Sequence, residues 1–356
     1  MSFFAVFMCV FSLLGALDRA LGNRFGLGKE FEKGFHFLGI MVLSMVGMIV
    51  ISPVIADLLA PVFSGMYRTL GLDPSIIPAS LFANDMGGAS LATQVAVDEK
   101  LGLFNGLVVS TMMGTTVSYN IPVGMGMVTA ERHKDMFTGM LCGIVTIPIG
   151  CLAAGLFVAI PIAALLWNLL PLVIFSAVVV CGLLLAPKLS VKIFAGVGKV
   201  IHILITFGLA VALLKYLTGV EWIAGLPTYE EAALICVNAS AVISGAFPFI
   251  FLVSKLLTKP ARILGNKLGI SDISAIGLVG TLATNATTYE RMNHMDSKGV
   301  VLNAAFSVSA SFTFAGHLAF TMAFDETYIL PMIIGKLAAG LAAFILALML
   351  YDRKNA

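Results

Sequence analysis

Apolar residues run along this chain in continuous blocks rather than alternating with polar ones. Seven uninterrupted blocks, at about 2–18, 35–57, 136–160, 165–186, 194–217, 230–254 and 328–350, approach the roughly 20 residues that a helix needs to cross a hydrocarbon core. Two more, 103–130 and 299–323, are long enough but interrupted, the first at Tyr119-Asn-Ile-Pro122 and the second near Ala315-Gly-His317. The stretches 75–97 and 271–291 differ again. Each is apolar for about ten residues, turns polar at Ala83-Asn-Asp-Met-Gly-Gly88 or Ala283-Thr-Asn-Ala-Thr287, then becomes weakly apolar. Irregular polar backbone at membrane depth is tolerated only where protein or water surrounds it, which predicts two re-entrant helical hairpins. The expected fold class is an all-α polytopic membrane protein with about nine spanning helices plus two re-entrant hairpins. Continuous runs exclude a closed outer-membrane barrel, whose strands alternate.

Composition agrees: 59% of the 356 residues are hydrophobic and 11% charged, against about 25% charged in soluble domains. Charge placement then chooses a topology. If the hairpins do not cross, seventeen of the 21 Lys and Arg share one side, only Arg68, Lys100 and Lys215 face the other, and Lys336 lies within a span. Counting each hairpin as a crossing divides the same residues ten against ten. The positive-inside rule favours the first arrangement, with the N-terminus outside and the C-terminus cytoplasmic. The first block lacks a basic leader and a clear cleavage site, so it reads as a retained helix. Cys9, Cys142, Cys151, Cys181 and Cys236 are scattered singly, without metal-ligand spacing. No phosphate-binding loop or nucleophile elbow is present. The expectation is no catalytic residue, no cofactor, no metal and no nucleic-acid partner.

The chain also resembles itself. Gly150-Cys-Leu-Ala-Ala-Gly-Leu156 recurs as Gly335-Lys-Leu-Ala-Ala-Gly-Leu341, and Pro61…Gly65…Leu70-Gly71 is echoed by Pro260…Gly265…Leu268-Gly269 in amphipathic stretches read as interfacial helices. Asp85 then aligns with Asn285 and Asn120 with His317. This divides the chain into an N-terminal helix and loop (1–30), repeat 1 (31–160), linking helices (161–228), repeat 2 (229–350) and a cytoplasmic tail (351–356). An odd number of crossings separates the repeats, which makes them inverted, as in many secondary transporters. The layout resembles that of concentrative nucleoside transporters.

At Phe31-Glu-Lys-Gly-Phe35, Met45-Val-Gly-Met48, Asn84-Asp-Met-Gly-Gly88, Ser110-Thr-Met-Met-Gly114 and Gly143-Ile-Val-Thr-Ile-Pro-Ile-Gly-Cys151 the chain resembles the ethanolamine utilisation permease family (EutH). The resemblance runs from about residue 12 to Leu350. It implies a permease of the bacterial inner membrane, with ethanolamine and the lipid bilayer as partners; a homo-oligomer is left open.

Ethanolamine is a primary amine, a cation at neutral pH as a lysine side chain is, and in a low-dielectric site it needs a carboxylate or several oriented oxygens. Most of the nineteen acidic residues lie in loops or at segment ends; Asp85, at the tip of a hairpin, is the exception. An intramembrane carboxylate costs roughly 2.5–3.5 kcal/mol on insertion scales and is therefore a functional candidate. Asp85 is expected to pair with the ammonium, with Asn84, Asn285 and Asn120 supplying carbonyl oxygens and Gly87-Gly88 admitting substrate to the backbone. The bland reading of Asp85 is a cap or a partner of Lys336. His317 could bond the substrate hydroxyl or merely satisfy a helix break. Lys336 reads as a structural or coupling ion pair with Asp85. Tyr119, Tyr289, Phe82 and Phe314 read as packing before cation–π partners. An inside-negative potential, worth about 2.3 kcal/mol per 100 mV for each charge, would favour uptake by uniport, with Na⁺ or H⁺ coupling open. The rival readings are a nucleoside-type carrier and a membrane-embedded enzyme acting on an ethanolamine-bearing lipid.

Overall fold

The structure, a computed structural model, describes residues 3–355, and of Phe63, Ser64, Met66, Arg68, Lys354 and Asn355 the backbone only. The charged groups of Arg68 and Lys354, which the sequence assigns to opposite faces, thus lie outside the described residues, as do the expected helix start at residue 2 and the last residue of the tail. Among the described residues all regular structure is helical, and eight stretches are long and apolar enough to cross a membrane: Phe3–Ala20, Leu27–Val62, Glu99–Met127, Ala130–Gly155, Ile162–Leu185, Pro187–Thr218, Tyr229–Leu268 and Glu326–Arg353. The chain is an all-helical, multi-pass membrane protein.

Helix α1 (Phe3–Ala20) turns into α2 (Leu27–Met41) around the buried Asp18, whose carboxylate accepts the Phe25 and Gly28 amides at 2.9 Å. A π turn at Val42–Val46 leads directly into α3 (Gly47–Leu70). Hairpin 1 follows as α4 (Ile76–Leu81), a single 3₁₀ turn at Asn84–Met86 and α5 (Gly88–Val95). Its two ends are clasped by one side chain. Asp73 accepts the Ser75 amide before the hairpin at 3.0 Å and the Val97 and Asp98 amides after it at 3.0 and 2.9 Å. The chain continues as α6 (Glu99–Phe104), π-helical turns at Asn105–Gly114 and Thr116–Asn120, and α7 (Ile121–Met127).

Beyond it come α8 (His133–Gly155), α9 (Ile162–Leu185), α10 (Pro187–Thr218) and α11 (Tyr229–Leu268), the last opened by a capping box of Thr228 and Glu231. Hairpin 2 is α12 (Asp272–Thr281) and α13 (Ala286–Met292). Asp296 clasps it, accepting the Ser271 amide at 2.8 Å, the Ser274 hydroxyl at 2.7 Å and, at the start of α14 (Ser297–Ala310), the Gly299 amide at 2.9 Å. After a break at 311–315 come α15 (Gly316–Phe324) and α16 (Ile329–Asn355).

Three expectations are corrected. The first interrupted block does not break at Tyr119–Pro122. Ile121 donates its amide to the Thr116 carbonyl, five residues back, and Pro122 sits in the first turn of α7, so π spacing accommodates the hydrogen bond that proline cannot donate. The stretches ending at Gly71 and Gly269 are not separate interfacial helices but the ends of α3 and α11, each stopped by a glycine at φ +63° or +67°. The tail from residue 351 is the continuing end of α16 through Asn355. The second interrupted block does break, which is why it does not count as a single long span.

Hydrogen bonds gather the loops at two ends. At one, Lys255 reaches the Phe25 carbonyl, Arg132 the Ser297 hydroxyl and Lys298 the Asp352 carboxylate. At the other, Lys100 meets the Ala159 carbonyl, Tyr328 the Lys100 carbonyl and Trp167 the Leu70 carbonyl. Between them α8 packs along α16 and α14. The repeated motif lies at this crossing: a Cβ on Gly150 would fall 2.3 Å from the Gly335 carbonyl oxygen, and one on Gly335 2.9 Å from that of Gly150. Small residues let the two backbones touch.

Candidate functional site

The tips of both hairpins, the π-helical segment and the break between α14 and α15 meet in the middle of the molecule. The break is stitched to hairpin 2 by backbone: Phe312 donates to the Thr281 carbonyl at 3.2 Å and Phe314 to that of Leu282 at 3.0 Å. Phe312 holds φ +59°, a left-handed conformation that a bulky residue keeps only when its surroundings impose it. Its ring lies 5.5 Å from Tyr119 and 5.1 Å from His317. Hairpin 1 is joined to the π-helical segment where the Ala83 amide donates to Ser118 Oγ at 3.2 Å.

Two polar groupings occupy this centre. In the first, Asn285 Nδ2 donates to Asn120 Oδ1 at 2.6 Å and to the Tyr289 hydroxyl at 3.1 Å, while Asn120 Nδ2 reaches the Val308 carbonyl at 3.3 Å. In the second, Lys336 Nζ donates to the Thr111 carbonyl at 2.8 Å and lies 3.0 Å from His317 Nδ1; His317 Nε2 is 3.4 Å from Thr115 Oγ1. Asn84, Asn120, Asn285 and Lys336 are 0% exposed and His317 2%. Both amide atoms of Asn84, and Oδ1 of Asn285, are buried without a hydrogen-bond partner among the described residues. Asp85 is half-buried at the hairpin 1 tip, and a Cβ on Gly316 would start 3.9 Å from its Oδ2, so the carboxylate faces the first turn of α15 beside His317.

The sequence-predicted residues therefore converge, with two changes. Lys336 forms no ion pair with Asp85: no salt bridge among the described residues includes either, and the lysine is held by Thr111 and His317 instead. Gly87 and Gly88 do not hold space open. A Cβ on Gly87, at φ +103°, would meet Met48 Cγ at 1.9 Å, and one on Gly88 the Phe82 carbonyl at 2.3 Å, so both serve close packing of the tip.

With this geometry in place, the comparison with known proteins is direct. The chain matches the family model for the ethanolamine utilisation protein EutH over residues 2–350. The chain belongs to the EutH family. The probable ethanolamine permease EutH of Listeria monocytogenes serotype 1/2a (strain 10403S) is 38% identical over 346 residues, which cover 97% of this chain and 93% of the relative. The probable ethanolamine permease EutH of Escherichia coli (strain K12) is 37% identical over 98% of this chain and 95% of its own length. The Bacillus subtilis (strain 168) protein YxeR is 35% identical over 94% and 91%. No solved structure matches the chain.

Within this EutH-family fold, sequence reasoning missed the Thr111 carbonyl, Thr115, Ser118 and the hydrogen-bonding role of Tyr289. The run of hydroxyls from Ser110 to Ser118, all but Tyr119's neighbourhood fully buried, was the available signal. What it could not reveal was the π spacing, which sends the Thr115 amide back to Ser110 rather than to Thr111 and turns the Thr111 carbonyl toward Lys336.

Proposed function

We propose that this protein carries ethanolamine inward across the bacterial inner membrane, binding its ammonium at Asp85 between two re-entrant hairpins. The observation that carries the reading is the Asp85 carboxylate facing α15 at the centre of the fold, with no salt bridge among the described residues, beside Asn84, whose buried amide has no hydrogen-bond partner among them either. An unpaired buried amide costs about 1–3 kcal/mol, and a ligand with one hydroxyl and several N–H donors would satisfy both atoms of Asn84. Asn285 Oδ1, also unpartnered, would be a second acceptor, with Asn120 and Tyr289 orienting its amide. The name of the Listeria and Escherichia relatives, probable ethanolamine permease, agrees.

The reading is of a transporter rather than an enzyme. Of the five histidines His317 reaches the centre, and it is occupied by Lys336 and Thr115, so among the described residues no acid/base cluster faces the candidate pocket. The two halves are read as inverted repeats about the Gly150–Gly335 crossing, with the clasps of Asp73 and Asp296 returning each hairpin to the side it started from. The basic end is assigned to the cytoplasm.

The test is binding of radiolabelled ethanolamine to purified protein, with choline and uridine as competitors. Asp85→Asn is expected to weaken ethanolamine binding more than tenfold while keeping the elution profile and Tm of the wild type. Wild-type affinity in that variant would reject the ammonium assignment, and preferential displacement by uridine would reject the substrate class.

A further inference from the structure

The assignment of substrate to Asp85 leaves one ionisable group without a task. Lys336 is the only Lys or Arg in the interior among the described residues, 0% exposed, and stands at the position in its motif that Cys151 holds in the other copy. The groups facing it from the packed elements are few. From α15 comes His317; from the hairpin 1 tip comes Asp85, near enough to act on it electrostatically but beyond 4 Å; from α8 comes the Cys151 thiol. The π-helical segment offers only the neutral Thr111 and Thr115, and the one charged residue of α14, Lys298, is paired with Asp352 at the far end of α16.

The hydrogen bonds fit an amine better than an ammonium. An ammonium carries three donors, and among the described residues two partners surround Nζ. A neutral amine has two N–H groups, which the Thr111 carbonyl and His317 Nδ1 satisfy. With Nδ1 accepting, Nε2 carries the ring hydrogen toward Thr115 Oγ1, whose own hydroxyl donates to the Ser110 carbonyl at 3.0 Å, so the chain closes without conflict. Lysine can give up its proton in such a setting; arginine cannot.

We propose that Lys336 is a proton-carrying site whose charge alternates with that of the bound substrate. This rests on the assignment of Asp85. The contacts seen at Nζ are those of the amine form; in the alternate form, with no substrate on Asp85, Lys336 takes up a proton and its ammonium offsets the carboxylate through space rather than in a contact ion pair. When ethanolammonium takes the carboxylate, Lys336 passes one proton to the water on the side to which the site is open. The electron pair of that N–H bond stays on Nζ, and the amine settles between Thr111 and His317. One cation is gained and one proton leaves, so the site is neutral in both states. Transport is then an electroneutral exchange of one ethanolammonium for one proton, indifferent to membrane voltage.

The experiment titrates ethanolamine hydrochloride into detergent-purified full-length protein at pH 7 in weak buffer with a pH indicator, while calorimetry reports binding. At that pH the ligand is already protonated. About one proton is expected to be released per ligand bound, and the apparent Kd to fall about tenfold for each unit rise in pH. Lys336→Met is expected to release none and to lose the pH dependence of Kd; if it does not fold, Lys336→Gln, which keeps a donor for Thr111, replaces it. In proteoliposomes wild-type uptake is expected to follow an imposed acid interior and to ignore an imposed voltage. Binding without proton release, or release that persists in both variants, overturns the proposal and leaves the substrate assignment standing. Absence of ethanolamine binding by the wild type overturns the substrate assignment, and this proposal with it.

Discussion

Asp73 and Asp296 hold the two hairpins by the same means, each carboxylate accepting amides from both ends of its hairpin. Burial pushes the Asp296 carboxyl up, but hydrogen bonds from Ser274, Ser271 and Gly299 outweigh it and hold the group below its ordinary value. A depressed folded-state pKa contributes stability above the unfolded value, about 3.9, and that contribution is lost as the pH falls through the folded one. Asp296→Ala is therefore expected to cost about 1–3 kcal/mol at pH 7, seen as a lower Tm in detergent, with the gap to wild type closing below about pH 4. A gap that is unchanged at pH 3 would refute the clasp. At this scale the sequence revealed residue types better than partners. Asp85, Asn120, Asn285 and His317 stand out because polar side chains in apolar blocks are expensive. That Lys336 rests on His317 and not on Asp85 depends on how α16 crosses the π-helical segment, and no local pattern records a crossing.

Among the elements, the expectation of two matching broken helices met an asymmetric pair. The second breaks at 311–315, where the chain leaves the helix and the Phe312 and Phe314 amides donate to hairpin 2. The first keeps its helix by widening it, because Pro122, lacking an N–H, needs only one carbonyl acceptor to be bypassed and π turns supply that. The meeting of α8 and α16 was legible as a repeated string, though only as similarity; that the two copies touch is tertiary information. Gly150→Val puts a branched side chain where the Gly335 carbonyl lies 2.3 Å from the first added carbon. It is expected to destabilise the protein by about 1–3 kcal/mol, measured as a fall in Tm, whereas Gly126→Val, where a Cβ meets nothing within 4 Å, should leave packing intact. Equal effects of the two would remove the crossing as a cause.

For the whole molecule, the proposed topology separates two exposed lysines. Lys134, exposed beside Arg132, lies at the end where Arg132 meets Ser297, and Lys100, also exposed, lies at the other. With Cys9 and Cys181 changed to Ser, Lys100→Cys is expected to react with an impermeant maleimide on intact cells and Lys134→Cys only after permeabilisation. Labelling of both from one side would undo the proposed topology. Apolar side chains such as Leu166, Val178 and Leu185 remain 53–85% exposed along α9, as a lipid-facing surface requires.

The order of apolar blocks and their lengths fixed a multi-pass helical protein from the chain alone, because crossing a bilayer is a requirement on each segment by itself. The resemblance over nearly the full length indicated the family. What folding alone decided is which polar groups share the centre. Residues from 84 to 336 are brought together there by helix crossings, a π widening and two carboxylate clasps, each depending on contacts between segments far apart in the sequence.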